Sequence, residues 1–568
     1  MDRREFIKGV STGAVSIPIA GCLSLKRPNP CPTFQSQIPS NSGLLIDVHS
    51  HFFNGSDLQV GKFISQVKGR HFVDWAWLRE VAGSLLQAIA WWRAPGAKDE
   101  LDFLLSLQNC SEVDQADLVD IAKMSGFDNA KIETRKAFED LAAKNQQKVI
   151  LFRVIDELMD QFPATYEELY NSEQPIAIQA KNQELIYSQL GVSVGSLKQI
   201  FRFIVEMFQY RYVSAINYLN AYNLPDRKID IVISSLVDYD WFLAKGKETR
   251  SPIPDQVRLM SEITKISRGI VNYFVPYCPL RHVAFEQGKG TFDPLELVKN
   301  AINKQGAMGV KLYPPMGFAL WGNSQLQSKY PNLWKKRFLP QVAKSDNIGE
   351  QLDSCLAKFY DYCQSNDVPI MAHTSISNLS NDDFSVVYPE EEIKKLVTTK
   401  FPDLKINFGH FGGYGWDHNT AIEPLVAKKY PSIWMQLSRT IQAQQNANHD
   451  SLYVDTGFFS DVLEDKEKFK DAFKSLLTSD PYLAGKFIYG SDWKMLVTQK
   501  NVNNYLQAIE SILEDPEIKP LVNLEQKEKI MGLNAVEFLG LRDGEKSRIR
   551  MEKFLYEGEN AHWFKKIG

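Results

Sequence analysis

Short apolar runs recur along the chain, and between most of them lie stretches with apolar residues at three- and four-residue spacing. The runs are Leu44–Val48, Ile229–Leu236, Val271–Tyr277, Met308–Tyr313, Pro369–His373, Lys405–His410, Ser432–Ser438 and Lys486–Asp492. Near-continuous apolar runs suit strands buried on both faces of a parallel sheet. The segments 254–270, 294–304, 351–366, 390–400 and 466–478 carry the spacing of amphipathic helices. Eight strands alternating with helices predict an α/β fold, a (β/α)8 TIM barrel. The alternation breaks once, over 57–228, where helical periodicity and mixed charge run on without strand character. Phe201–Phe208 is one amphipathic piece of it. This stretch reads as a large helical insertion after strand 1, its aromatics serving as core.

The first predicted strand closes on Asp47-Val48-His49-Ser50-His51. Side chains alternate faces along a strand, so histidines at i and i+2 point the same way. Two neutral imidazoles on one face can grip a single cation. The placement then repeats: Lys311, His373, His410 and Asp492 each stand at or just past the C-terminal end of a predicted strand. Barrel enzymes build their active sites on that face, from the ends of several strands. Core histidines have no reason to collect at strand ends of one polarity, so a metal centre is the simpler reading. Arg281 follows predicted strand 3 and Arg439 follows predicted strand 7. Either can bind a substrate carboxylate bidentately or form an ion pair at the surface.

The long segments follow strands rather than precede them. The insertion follows strand 1, a Trp- and Lys-rich loop from Phe318 to Gly349 follows strand 4, and a Gln- and Asn-rich loop follows Ser438. Loops after strands lie on the catalytic face, which predicts a deep pocket roofed largely by the insertion. The Gly412–Trp416 turn after His410 would let backbone approach a substrate closely. Asp417 and His418 read as loop residues.

Composition changes little in this picture: 44% hydrophobic and 24% charged is ordinary for a globular chain. A net charge of -4 gives no electrostatic case for nucleic acid. No run in the body reaches the ~20 apolar residues that span a bilayer. The six cysteines show no Cys-x-x-Cys pair, and Cys278, Cys355 and Cys363 read as small buried hydrophobes. The N-terminus adds more. Asp2-Arg3-Arg4-Glu5-Phe6-Ile7-Lys8 resembles a twin-arginine export signal, and Ile19-Ala20-Gly21-Cys22 a lipoprotein processing box. Residues 1–22 thus resemble an export signal with Cys22 as the lipidated residue, and 23–42 read as a tether. The resemblance implies a bacterial protein exported folded and lipid-anchored on the periplasmic side.

The pieces Asp47–His51, Gly309–Pro314, Ala372-His373, Gly409–Gly413 and Gly490–Trp493, in that order, resemble the amidohydrolase superfamily of the amidohydrolase-2 type. Ile530–Gly540 is similar to the closing helix of that family. On this resemblance the barrel spans 43–542, interrupted by 57–228, with 543–568 as a C-terminal extension. The resemblance implies that His49, His51, His373 and Asp492 hold one divalent metal ion, zinc in first place. Asp492 and His410 would be the catalytic pair, Asp492 accepting the proton of an attacking water and His410 orienting water or substrate. Lys311, Arg439, Arg281 and Trp493 are the candidates for substrate binding. In binuclear relatives a strand-4 lysine is carboxylated and bridges two metals; were Lys311 carboxylated, a second metal would enter.

The expected activity is metal-dependent hydrolysis of an amide, lactone or ester-like small molecule. The alternatives are non-oxidative decarboxylation of an aromatic or unsaturated acid, and a lipid-anchored binding protein without catalysis. The expected partners are a small-molecule substrate, no nucleic acid, a membrane only through the anchor, and further copies of the chain in a homo-oligomer.

Overall fold

Eight strands, every residue of them buried, run parallel in sequence order: β1 (Ile46–Ser50), β2 (Ile231–Ser235), β3 (Val271–Pro276), β4 (Gly309–Leu312), β5 (Ile370–His373), β6 (Ile406–Gly409), β7 (Leu452–Asp455) and β8 (Phe487–Ile488). Each pairs with its predecessor, as in Ile46 opposite Ile231 and Val310 opposite Ile370. Backbone bonds from Val48 N to Tyr489 O (3.1 Å) and from Ser491 N to His49 O (3.1 Å) join the end of β8 to β1 and close the ring. The chain is a (β/α)8 barrel. This computed structural model describes residues 43–58, 94–107, 206–207, 209–224, 227–336, 339–375, 389–412, 433–555 and 563–567. The signal-like stretch with Cys22, the tether, most of the insertion, Gly413–Trp416, Asp417 and His418 lie outside the described residues.

Ile46, Val48, Ile231, Ile233, Phe274, Met371 and Ile488 form one apolar cluster with Phe538, Leu539 and Trp563 of the C-terminal region. Full burial of such side chains contributes roughly 1.5–3 kcal/mol each. Among the described residues, the helices α1 (Ala97–Leu107) and α2 (Arg211–Tyr222) belong to the insertion. Those around the barrel include α3 (Ile253–Ile266), α4 (Pro279–Glu286), α5 (Pro294–Lys304) and α6 (Ile348–Asn366). Asp293 shows why α5 begins where it does. Its carboxylate accepts from Leu295 N (2.8 Å), while Pro294 at the first helical position needs no N–H partner.

The structure corrects one strand. The run Ser432–Ser438, expected as strand 7, lies instead largely within the helix α7 (Ile433–Asn446), and β7 is the Leu452–Asp455 segment. Trp434, Leu437 and Ile441 are buried at three- and four-residue spacing, a helical face that a seven-residue window cannot tell from a buried strand. The Gln- and Asn-rich stretch after Ser438 is the rest of this helix, not a loop. Likewise, the expected loop 318–349 contains a short helix, Asn323–Lys329, and buries Phe318, Leu320 and Trp334.

The insertion is fastened to the barrel by buried polar contacts. Tyr218 Oη of α2 donates to Asp47 of β1 (2.6 Å), and Lys494 Nζ donates to Glu206 (2.8 Å). Arg211 bonds Asp57 (2.8 Å from Nε) and Glu100 of α1 (2.8 Å). All of these groups are buried.

Candidate metal centre

His49 and His51 stand at the C-terminal end of β1, where the register against β2 slips between Asp47 and Ser50. Such a bulge re-aims side chains. It lets Val48 stay in the apolar cluster while His49 turns to the barrel mouth. The Nδ1 of His49 lies 3.0 and 3.2 Å from the two oxygens of Asp455. The Nδ1 of His51 lies 2.7 Å from the carbonyl of Ser235. Both partners are acceptors, so each Nδ1 carries the hydrogen and each Nε2 keeps its lone pair. Burial, with the Lys311 charge beside it, holds both imidazoles well below their usual range, so they are neutral.

The third member comes from the end of β8. Asp492 adopts the left-handed conformation (φ 56°), uncommon for a residue other than glycine. Its Oδ1 lies 3.6 Å from His51 Nε2 and is buried without a hydrogen-bond partner among the described residues. Burial pushes this carboxyl well above the usual carboxylate range. Donor atoms of His49, His51 and Asp492 all fall within 4.8 Å of one another. Two lone pairs and an orphaned carboxylate oxygen thus converge among buried residues, a donor set that fits a divalent cation.

His410 and His373 form the adjoining pair. His410 Nδ1 donates to the carbonyl of Gly457 (2.8 Å), leaving Nε2 to accept from His373 Nδ1 (3.0 Å). His373 therefore presents Nε2 as a lone pair, 3.2 Å from Ser375 Oγ. Burial lowers the His410 pKa to about 4, so this chain of hydrogen bonds is fixed near neutral pH. His410 and Phe411 both have positive φ (62° and 42°), strain of a kind that collects at functional sites. His373 does not share the tight span of the other three donors.

Asp455, at the end of β7, was not among the residues singled out from the sequence. Its oxygens accept from His49 Nδ1, His410 N (2.8 Å), Gly457 N (2.9 Å) and Asn407 Nδ2 (2.7 Å). It orients one histidine through its ring and another through its backbone. The signal was hidden because strand 7 was expected elsewhere; an acidic residue ending a Leu-Tyr-Val run was the available clue. Glycines shape the other side. A Cβ at Gly457 would meet His49 Nδ1 at 2.5 Å, and one at Gly490 would meet His49 Cβ at 2.8 Å.

Lys311 lies within this group, its Nζ 3.3 Å from His49 Nε2 and 2.9 Å from Met371 Sδ. Burial lowers its pKa to about 8. The other three candidates for substrate binding are engaged elsewhere. Arg281, on α4, bonds Asp238 (2.9 Å) and Asp240 (2.8 Å) and stacks on Phe292. Arg439 lies half-exposed on α7, 3.8 Å from Glu390. It was expected just past a strand, and the helix takes it away from that position. Trp493 is fully buried against the rings of Tyr218 and Tyr222.

The amidohydrolase family model matches residues 294–541. No curated protein matches the chain. Among solved structures, the chain is similar to a 2,6-dihydroxybenzoate decarboxylase complexed with 2,6-dihydroxybenzoate, at 13% identity over 59% of this chain and 89% of that one, with a TM-score of 0.34. It is also similar to a zinc-bound amidohydrolase from Burkholderia multivorans, at 10% identity over 64% of this chain and 94% of that one, with a TM-score of 0.32. Neither likeness bears on substrate or reaction.

Proposed function

We propose that the chain is a metal-dependent hydrolase acting on an amide, lactone or ester-like carbonyl compound. One observation carries this reading: the Nε2 lone pairs of His49 and His51 and the orphaned Oδ1 of Asp492 converge at the barrel mouth. His49, His51 and Asp492 would hold the ion, and His373, with its Nε2 free of hydrogen, would complete the set. Bound there, a divalent cation, zinc in first place, would polarise a substrate oxygen and acidify a water. The chain's own groups do the rest. Asp492 would accept the proton released as the water attacks, its Oδ1 being without another hydrogen-bond partner among the described residues. His410, neutral and anchored to Gly457 O, holds His373 in place through Nε2. Lys311 supplies positive charge beside the site.

Decarboxylation is the second reading, and neither arginine expected to hold a substrate carboxylate is free to do so. Arg281 is neutralised by two aspartates and Arg439 pairs with Glu390 at the surface. The deciding experiment assays the zinc-loaded protein on lactones, amides and esters, and separately for carbon dioxide release from aromatic acids. Hydrolysis without carbon dioxide release supports the proposal, and the converse sinks it. The motifs at Arg3-Arg4 and Cys22 further support export and lipid anchoring of this enzyme. Mass analysis of the mature N-terminus tests that, since unmodified Cys22 behind an uncleaved leader contradicts it.

A further inference from the structure

A second group of donor atoms lies on the outside of the barrel, between α4 and α6. His282 and Glu286 are one turn apart on α4, and Cys355 faces them from α6. His282 and Cys355 are buried, with 4% and 0% of their surface exposed, while the Glu286 side chain reaches solvent at 41%. The hydrogen bonds settle which atoms have lone pairs. Tyr277 Oη donates to the carbonyl of Cys355 (2.9 Å), so its oxygen accepts from His282 Nδ1 (2.7 Å). His282 Nε2 is then left without hydrogen, and it faces a carboxylate oxygen of Glu286 at 3.5 Å. Burial lowers the imidazole's affinity for a proton, so the ring stays neutral. One acceptor confronts another. The Cys355 Sγ approaches the other oxygen of Glu286 at 3.8 Å.

We propose that His282, Glu286 and Cys355 form a metal site of the imidazole–carboxylate–thiolate kind, suited to zinc and separate from the barrel mouth. The spacing is that of donors able to share one ion: a ligand atom from each residue lies within 4.8 Å of the others. Tetrahedral zinc with ordinary bond lengths places nitrogen and oxygen about 3.4 Å apart, and His282 Nε2 stands 3.5 Å from one oxygen of Glu286. Tyr277 plays the outer partner that fixes the histidine's tautomer and ring, as carbonyls and carboxylates do for zinc-bound histidines. A solvent molecule at the exposed edge would supply the fourth ligand. Binding displaces the thiol proton to solvent, and Lys358, which bonds Glu286, yields that oxygen to the ion. Thiolate and carboxylate together balance the charge of a divalent ion. Linking α4 to α6, the ion would brace the wall of the barrel rather than act on substrate.

Cobalt(II) distinguishes this site from the barrel mouth, whose donors include no sulfur. Added to the chelator-treated full-length chain, cobalt should produce a near-ultraviolet thiolate-to-metal charge-transfer band. Cys355→Ala should abolish the band and reduce the bound metal by one ion per chain. Glu286→Gln, at an exposed position that the fold tolerates, should weaken the binding that gives the band by at least about tenfold, the low end of the loss seen for outer partners alone. No band in the native chain at saturating cobalt, or a band that survives Cys355→Ala, overturns the proposal. Neither outcome depends on whether the barrel mouth is a hydrolytic centre.

Discussion

Two buried polar regions of this molecule use charge in opposite ways. At the base of the insertion buried ions of the described residues meet their complements: Arg211 spans Asp57 and Glu100, and Lys494 meets Glu206. At the barrel mouth the acceptors face each other, with His51 Nε2 turned to an Asp492 oxygen that has no hydrogen-bond partner among the described residues. The first arrangement pairs its buried charges and fastens one segment to another. In the second, acceptors held together by Asp455, Ser235 and Gly457 are the observation on which the proposed metal site rests.

The contrast breaks first at the fastening. Arg211→Ala leaves two carboxylates buried without a cation, and the loss should be about 3–5 kcal/mol or more. Thermal or denaturant unfolding would show it, and a change below about 1 kcal/mol would mean that the insertion does not depend on this contact. At the mouth, Asp492→Asn should cut turnover by about 10²–10⁴-fold, the usual range for a proton acceptor, while altering stability little. An activity close to wild type would remove Asp492 from catalysis. Asp455→Asn is subtler. It keeps the shape but gives His49 Nδ1 an amide whose N–H competes for the same place, and metal affinity should fall by about 10–100-fold. Isothermal titration with zinc measures that, and unchanged affinity would make Asp455 a purely structural acid. The smallest effect belongs to Arg439→Ala. A half-exposed arginine 3.8 Å from Glu390 is worth about 0–1 kcal/mol, and steady-state kinetics should be unchanged.

The barrel was legible because parallel strands buried on both faces must be apolar along their length, and seven of the eight segments fell on the expected runs. The eighth failed for a physical reason. Trp434, Leu437 and Ile441 serve a helix face as well as a strand, whereas Leu452–Asp455 is too short to stand out. That single exchange hid Asp455 and gave Arg439 a place at the mouth that it does not occupy. His49, His51 and Asp492 were legible as strand-end residues, and their meeting needed no more than barrel closure. What periodicity could not carry was side-chain commitment. Arg281 follows β3 as expected, yet Asp238 and Asp240, from the segment that follows β2, take up its guanidinium.

The most direct test of the central claim is hydrolysis before and after metal removal. Dialysis against a chelator should abolish turnover of the lactone, amide or ester substrate that the native protein accepts, and zinc should restore it. Turnover that persists in protein shown metal-free by elemental analysis would contradict the account.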